Sequence, residues 1–582
     1  MPVNQRTGKF PLTRSVSIVI AVLVIALTLV ISSCTPKPVK VTEEPLSAKN
    51  GMVVSGHYLA TSAGLDVLKE GGNAVDAAVT VGFALAVTLP SAGNIGGGGF
   101  MMVHLAETGQ TIAIDYREKA PRAAFRDMFL DKDGNPDSEK SMYSYLATGV
   151  PGTVAGLTTA LEKYGTISLE RALRPAIELA EKGFPVDAYL YRSLVGSKKR
   201  MSASPASMAV FFKEGGIPYE IGETLIQKDL AQSLKAIAVK GADAFYRGEI
   251  AQKIAADMKA HGGFITMEDL AAYRPAIRTP VHGTYRGYDV VSMPPPSSGG
   301  VHLVQMLNLL EKYPLGTWGH NSAETVHVMA ECMKLAYADR SVYLGDPDFV
   351  KVPVAGLTSK SYADELRRKI NLTKATPSSE ILPGQPQKYE SPSTTHFSVM
   401  DRYGNAVSNT YTLNFSYGTG ITAAGTGILL NNEMDDFSSK PGVPNAYGLL
   451  GNDFNAIEPG KRMLSCMTPT IVLKNGKPYL VTGSPGGSRI ITTTLQIVLN
   501  VIDHGLNVEE ATKALRIHHQ WMPDEIQVEK GFDPEIIRQL REKGQTIVER
   551  GSMGVTQSIM YTGNRYYGAA DTRISSSSAM GY

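Results

Sequence analysis

Residues 394–401, Thr394-Thr395-His396-Phe397-Ser398-Val399-Met400-Asp401, decide how this chain is read. They open a strand abruptly after residues 373–393 (TKATPSSEILPGQPQKYESPS). That preceding segment is rich in Pro, Ser, Gln and Lys and poor in apolar residues, and reads as an exposed loop. A threonine hydroxyl alone is a poor nucleophile. It needs an adjacent base, and its own α-amine can serve once the peptide bond before it is broken. That amine titrates near ~8, so it is partly neutral at physiological pH. The same hydroxyl can break the bond by attacking the Ser393 carbonyl, giving an ester that water then cleaves. A Thr-Thr pair that only starts a strand is the plain alternative at this point.

The downstream sequence extends the argument. Thr394 to Asp401 and Ala406 to Asn414 are both strand-like and are joined through Arg402-Tyr403-Gly404-Asn405. A three-residue turn with Gly404 in the left-handed position centres the hairpin on Tyr403. That register sets Thr412 opposite Thr394, where a second hydroxyl can hold or tune the first. Asn414 falls two residues further on, on the same face. A one-residue slip would undo the pairing. Further on, Tyr479 to Thr482 read as a strand that runs into Gly483-Ser484-Pro485-Gly486-Gly487-Ser488-Arg489 and then a helix to about His504. Two glycines at a helix N-terminus leave amide N–H groups for an anion, which is what an oxyanion hole needs. A Gly-rich turn capped by Ser488 is the bland reading. No lysine follows as a phosphate loop requires.

Upstream, residues 57–90 read as a helix, a Gly71-Gly72-Asn73 turn and a second, alanine-rich buried helix. Gly93-Asn94-Ile95-Gly96-Gly97-Gly98-Gly99 lets the backbone approach something closely. Residues 100–115 suggest two strands around a turn. Residues 151–270 are largely helical, with caps at Ser168 and Thr266, and 320–345 form another helix. From 394 to 485 the pattern is β-rich, with a hairpin turn at Lys474-Asn475-Gly476-Lys477. Helices, then strands, then helices predict an α/β (α+β) fold with two helix layers around packed sheets.

The 582 residues exceed one ordinary core, so a large composite unit or several domains are expected. A net charge of +2 without a basic stripe argues against nucleic acid. Arg6, Lys9 and Arg14 precede an apolar run from Val16 to Ile31 and then Ser32-Ser33-Cys34, which reads as a secretory signal. The run is short for a bilayer-spanning helix, which needs about 20 apolar residues. Its Ile-Ser-Ser-Cys end resembles a bacterial lipobox, which implies removal of residues 1–33 and lipidation of Cys34. The polar residues 34–46 would then be a tether, and the body an exported, membrane-anchored lipoprotein. A plain uncleaved anchor is the other reading. Cys34, Cys332 and Cys466 do not form a disulfide framework, and no Cys/His spacing resembles a zinc site. The adjacent His518 and His519 point apart, which favours a structural role.

Taken together, Thr394-Thr395-His396, Thr410 to Asn414, Asn431 to Phe437, Pro469-Thr470 and Gly483 to Arg489 resemble the γ-glutamyltransferase (γ-glutamyltranspeptidase) family of N-terminal nucleophile hydrolases. Gly93 to Gly99 and Asp115-Tyr116-Arg117-Glu118 also match. The resemblance runs from about residue 48 to Tyr582. It implies a four-layer αββα sandwich, self-cleaved before Thr394 into a large subunit (47–393 beyond the tether) and a small one (394–582) that stay together as a heterodimer. It implies that Thr394 is the nucleophile, Thr412 the supporting hydroxyl, and Gly486 and Gly487 the oxyanion amides. Arg117 and Ser465, with Cys466 beside it, would hold the α-carboxylate of a γ-glutamyl group. Asn414, Glu433 and Asp436 would hold its α-ammonium. A guanidinium fork suits a carboxylate, and paired acids suit an ammonium. Tyr447, in the lid-like stretch 438–449, would cover the bound group. The family usually carries two serines where this chain has Ser465-Cys466, and a thiol is the weaker donor.

The implied substrates are glutathione or other γ-glutamyl compounds, with amino acids, dipeptides or water as acceptors and no cofactor required. A β-lactam side-chain (glutaryl) acylase of the same superfamily is the alternative enzyme reading. An inactive peptide-binding lipoprotein is the reading from another class, and it must treat the intact nucleophile, base and oxyanion set as coincidence.

Overall fold

Strand residues buried on both faces build the centre of this molecule. In the computed structural model, which describes Met1 and residues 45–386 and 397–582, the central strands alternate between two cores. Val53, Met101, Val103 and Val407 face one hydrophobic core, whereas Met52, Val54, Met102 and Ala406 face another. Period-two alternation with both faces apolar requires a layer on each side of the sheet.

The layers are those the sequence predicts. Among the described residues, one seven-stranded sheet runs in the order Ser578–Gly581, Met52–Ser55, Ser398–Met400, Ala406–Thr412, Gly98–Leu105, Gln110–Tyr116, Ala276–Arg278. The other runs Leu46–Ala48, Arg565–Ala570, Gln557–Thr562, Lys477–Thr482, Thr470–Lys474, Tyr288–Ser292, Val281–Tyr285. Between the sheets lies a core that includes Phe100, Met400, Ile471, Val481 and Ile559. The helices Tyr58–Lys69, Ala74–Thr88 and Thr153–Tyr164 cover the outer face of the first sheet. The helices Gly299–Leu310 and Val508–Lys513 contact the second sheet, and Ala323–Tyr343 and Ile490–Ile502 complete the core on that side.

Each predicted helix has a local cause. Ala74–Thr88 is buried along all of its 15 residues, which suits a sequence with no polar stripe. Its start is fixed by a reciprocal cap in which Asn73 accepts from the Asp76 amide and Asp76 accepts from the Asn73 amide. Ser168 and Thr266 cap helices as expected.

The decisive hairpin has the register read from the sequence. Ser398 pairs with Ser408, Val399 with Val407 and Met400 with Ala406. The Asp401 amide donates to the Asn405 carbonyl at 3.1 Å, and Gly404 has φ of 90°. The turn is therefore centred on Tyr403. Thr394 itself, with Thr395 and His396, lies outside the described residues, as do the signal segment, Cys34 and the tether up to Glu44.

The Gly-rich run approaches the other edge of the same strand. A Cβ on Gly97 would stand 2.0 Å from the Thr412 carbonyl oxygen, and one on Gly99 would stand 2.5 Å from that of Thr410. Only glycine lets the strand Gly98–Leu105 pair this closely with Ala406–Thr412.

Two expectations differ from the structure. The segment 394–485 is not uniformly β-rich: between Leu413 and Pro469 the only ladder among the described residues is the two-residue pair Thr422–Ala423 with Ile428–Leu429. This stretch wraps the pocket and is shaped by Gly and Asn turns rather than by strand pairing. The segment from Thr373 to Pro386 is irregular as expected, but it is pinned rather than fully exposed. Ser378 donates through N and Oγ to Asp524 at 2.9 and 2.7 Å, and the Gly384 amide donates to Asp339 Oδ1 at 2.8 Å.

Candidate active site

The end of the strand Ala406–Thr412 opens into a cavity of about 450 Å³. Arg117, Thr412, Asn414, Glu433, Asp436, Tyr447, Ser465, Cys466, Gly486 and Gly487 all line it. Every described residue that the sequence marked for the site is therefore brought to one place from six separate stretches of chain. Thr394, the remaining one, is among the residues outside the description.

Thr412 is prepared as a donor. Its Oγ1 accepts the Asn414 amide at 2.8 Å, and its hydroxyl donates only a long 3.5 Å bond to the Asn414 carbonyl, which a nearer acceptor can replace. Asn414 has φ of 75°, an uncommon conformation for a side-chain-bearing residue and one that tends to mark functional positions. Its Nδ2 donates to the Asn432 carbonyl at 3.0 Å, which fixes the side chain.

At the start of the helical segment that leads into Ile490–Ile502, Gly486 has φ of 141° and Gly487 φ of 57°. Neither amide donates to another acceptor among the described residues. Two free N–H groups at a helix start are a ready anion site. Tyr447 lies directly on this turn: a Cβ on Gly487 would come within 2.5 Å of its ring. Tyr447 Oη donates to the Asn414 carbonyl at 3.1 Å, and its ring meets Phe415 edge to face at 5.2 Å. Gln520 Nε2 holds the lid backbone at the Tyr447 and Gly448 carbonyls, at 3.3 and 3.2 Å.

The polar end of the pocket is crowded with charge. The fully buried Arg117 places Nη1 2.5 Å from Glu433 Oε2 and 3.5 Å from Glu118 Oε2, and Nη2 2.5 Å from Asp436 Oδ2. One guanidinium thus faces three carboxylates. Burial pushes Glu433 well above the usual carboxylate range and Glu118 up to about 8, with Arg117 opposing the shift in both. Burial likewise raises Asp436, again opposed by Arg117. Glu433 Oε2 is paired with Arg117, whereas Oε1 lacks a hydrogen-bond partner among the described residues. An anionic excess with unpaired acceptors is what a bound ammonium would relieve.

Ser465 and Cys466 line the same cavity, two and three residues beyond Met463, whose carbonyl accepts from Arg117 Nε at 3.4 Å. Ser465 Oγ accepts the Met467 amide at 3.2 Å, and Cys466 Sγ lies 4.0 Å from Ser298 Oγ. Burial raises the Cys466 thiol, so it stays protonated near neutral pH. Asp435 turns away and accepts from Ser141 Oγ at 2.6 Å. His518 and His519 are buried, and burial lowers both, His518 to about 3. His518 is held by Thr492 and Gln520, consistent with a structural role.

Sequence reasoning missed Arg340, which also lines this cavity. It sits mid-helix in Ala323–Tyr343 and carries no local motif that could have flagged it. Glu118 was quoted in a motif but given no role, because nothing local reveals that it shares the Arg117 guanidinium.

A helix–sheet–sheet–helix sandwich with its pocket where a central strand ends is the architecture of the N-terminal nucleophile hydrolases, and this chain has it. The solved cephalosporin acylase from Bacillus halodurans superimposes with a TM-score of 0.84 at 30% identity, covering 94% of this chain and 98% of that one. Within that class the chain belongs to the gamma-glutamyltranspeptidase family, whose model matches residues 60–581. It is 58% identical over 541 residues to the glutathione hydrolase proenzyme of Escherichia coli K12, covering 92% of this chain and 93% of that protein. It is also similar to the solved gamma-glutamyltranspeptidase of Helicobacter pylori, at 48% identity and a TM-score of 0.56, covering 60% of this chain and 97% of that one.

Proposed function

We propose that this protein is a glutathione hydrolase and γ-glutamyltransferase that matures by cleaving itself before Thr394. The observation that carries the reading is the charge pattern of the pocket. Arg117 with Glu433, Asp436 and Glu118 forms an anionic end in the same cavity as Thr412 and the free Gly486 and Gly487 amides. An α-ammonium fits that end, and the γ-acyl carbon, four bonds from the ammonium nitrogen, would then extend along the same cavity that the Gly486–Gly487 turn lines. A glutaryl group, which lacks the ammonium, would leave buried carboxylates unpaired. That argues against the acylase alternative, as does the lower identity to the acylase structure than to the glutathione hydrolase.

The mechanism follows from the residues. In the precursor, Thr394 Oγ attacks the Ser393 carbonyl, the C–N bond breaks to give an ester and free the Thr394 α-amine, and water then hydrolyses the ester to free the Thr394 hydroxyl and the Ser393 carboxylate. That amine then takes the hydroxyl proton as Thr394 Oγ attacks the γ-amide carbonyl of glutathione or a related donor. Thr412 stands opposite position 394 if the observed register continues, and its hydroxyl donates to the nucleophile. The Gly486 and Gly487 amides stabilise the oxyanion. The leaving amine takes the proton and departs, leaving a γ-glutamyl ester on Thr394. Water, an amino acid or a dipeptide then accepts the acyl group. Tyr447 covers the pocket during this cycle. In the exported protein, Cys34 carries the lipid and residues 34–46 tether the two-chain body to a membrane.

Turnover of γ-glutamyl-p-nitroanilide against glutaryl-p-nitroanilide tests the assignment. A γ-glutamyl preference of about 100-fold or more is expected, the loss that follows when buried polar groups stay unpaired. Equal turnover of the two would overturn the substrate assignment.

A further inference from the structure

The strand registers put the hairpin turns of the two large sheets at one end of the sandwich and the pocket at the other. In the first sheet the turns 401–405 and 106–109 are neighbours, because Ala406 pairs with His104. In the second, the turns 286–287, 475–476 and 563–564 fall side by side, through the pairs Asp289–Leu473 and Leu480–Met560. Residues 49–51 join the two sets, since Ala48 pairs with Tyr566 and Met52 with Met400. Tyr566 Oη also donates to the Asp401 carbonyl at 2.7 Å. The opposite strand ends, at Thr412 and Thr482, lead to the cavity.

The turn end is basic and aromatic. Lys49, Arg402, Lys474 and Lys477 are exposed there, and Arg565 is partly exposed. None of the five makes an ion pair among the described residues, whereas exposed cations elsewhere, such as Lys182, Lys235 and Arg247, are paired. Lys474 lies over the rings of Tyr288 and Tyr479 at 5.2 and 5.4 Å, and Arg402 over that of Tyr403 at 5.1 Å. The acids there are few. Glu107 is exposed in its turn, and Asp289 is engaged by His282 at 3.2 Å. Asp503 is taken by Arg286, and the C-terminal carboxylate of Tyr582 accepts the Lys49 and Asn50 amides.

We propose that this end docks on a bilayer rich in anionic phospholipid, so that the pocket faces away from the membrane. Lysine and arginine near such a surface gain from its negative potential, and tyrosine rings beside them suit the headgroup level. Five unpaired cations at one end repel one another, and an anionic surface turns that cost into attraction. The inference goes beyond the γ-glutamyl chemistry and gives the lipid anchoring proposed above an orientation. It does not need the lipid itself, because residues 45–582 alone make the surface.

Residues 45–582 form one compact unit, so the test uses the chain from residue 35 on, which carries no lipid. Binding is read by co-sedimentation with vesicles of phosphatidylcholine alone, or with about one-third phosphatidylglycerol. At low salt the anionic vesicles should be preferred about 100-fold or more, at about fivefold per basic residue. The preference should fall steeply as salt rises. The quadruple variant Lys49→Gln, Arg402→Gln, Lys474→Gln, Lys477→Gln should lose most of it. A control that removes the same charge from exposed positions elsewhere, Lys163→Gln, Lys198→Gln, Lys199→Gln, Lys259→Gln, should keep it within about twofold. Unchanged Tm in both shows that they are folded. If the first fails to fold, Lys474→Gln with Lys477→Gln is measured alone, and must lose about tenfold or more or the proposal falls. Equal binding to both vesicles would overturn the proposal, as would an equal loss in the control, which would reduce the effect to net charge. On the lipid-bearing protein, a headgroup quencher should reach a fluorophore on Asn475→Cys but not one on Lys440→Cys in the lid stretch. The reverse pattern would overturn the orientation. A protein without lipid on Cys34 that still binds in this way would overturn only the anchoring assignment.

Discussion

Replacing Gly487 by alanine should separate the lid from the oxyanion turn in a measurable way. The added Cβ would stand 2.5 Å from Tyr447 Cδ1 and Cε1 and 3.2 Å from Cζ. Carbon atoms in contact prefer about 3.5–4.0 Å, so the ring must retreat by about 1 Å. Two costs follow. A side chain at φ of 57° costs about 1 kcal/mol or somewhat more. Displacing Tyr447 weakens its 3.1 Å hydrogen bond to Asn414 and its edge-to-face contact with Phe415, together about 1–2 kcal/mol. The total of about 2–3 kcal/mol corresponds to a fall in kcat/KM of about 30–150-fold. In a Tyr447→Ala background only the backbone cost remains, so the same glycine substitution should cost about fivefold. The assay is kcat/KM on γ-glutamyl-p-nitroanilide for the wild type, both single variants and the double variant, with the two-chain form checked on a gel. An identical loss in both backgrounds would refute the steric argument, since the clash would then contribute nothing.

Two further outcomes follow from buried charge. Glu118 is pushed up to about 8 from an ordinary 4.5, mainly by burial, so between those values the native state binds more protons than the unfolded chain. Stability therefore falls as pH rises across that window, by up to about 1.4 kcal/mol per pH unit. Glu118→Gln should flatten the decline in Tm between pH 5 and pH 8, and a slope equal to wild type would contradict this. Arg516 and Asp571 are both buried and meet at 2.6 Å, so Arg516→Met leaves Arg573, at 3.1 Å, as the remaining ion-pair partner of the Asp571 carboxylate. The expected loss is about 1.5–3 kcal/mol in urea unfolding, that of one charge-assisted hydrogen bond, and a loss under about 0.5 kcal/mol would mean that Arg573 alone satisfies the carboxylate.

The sequence was most legible where local rules act alone. The hairpin centred on Tyr403 could be read because a left-handed glycine fixes the turn and period-two pairing fixes the rest. The Gly93–Gly99 run announced a close backbone approach, and the structure supplies its target, the carbonyls of Thr410 and Thr412. The buried helix Ala74–Thr88 was visible in its alanine-rich pattern and in the Gly71-Gly72-Asn73 turn before it. What stayed hidden depends on long-range packing. Arg340 belongs to the pocket only because the helix Ala323–Tyr343 packs beside the Ser465 wall, and helical periodicity carries no trace of that. The stretch from Leu413 to Pro469 was read as more strand-like than it is, because apolar residues such as Leu413, Tyr417, Ile421 and Leu430 pack into the hydrophobic core with little sheet pairing. The segment before position 394 read as exposed. Its anchors, Asp524 and Asp339, are remote in the chain and leave no mark on the segment itself.

The account rests on one threonine that supplies both hydroxyl and amine. Denaturing electrophoresis of the purified active enzyme, with N-terminal sequencing of the smaller band, tests this most directly. Two chains are expected, the smaller beginning TTHFSV, while Thr394→Ala runs as one inactive precursor. Full activity in a single uncut chain, or a small chain that starts at another residue, would contradict it.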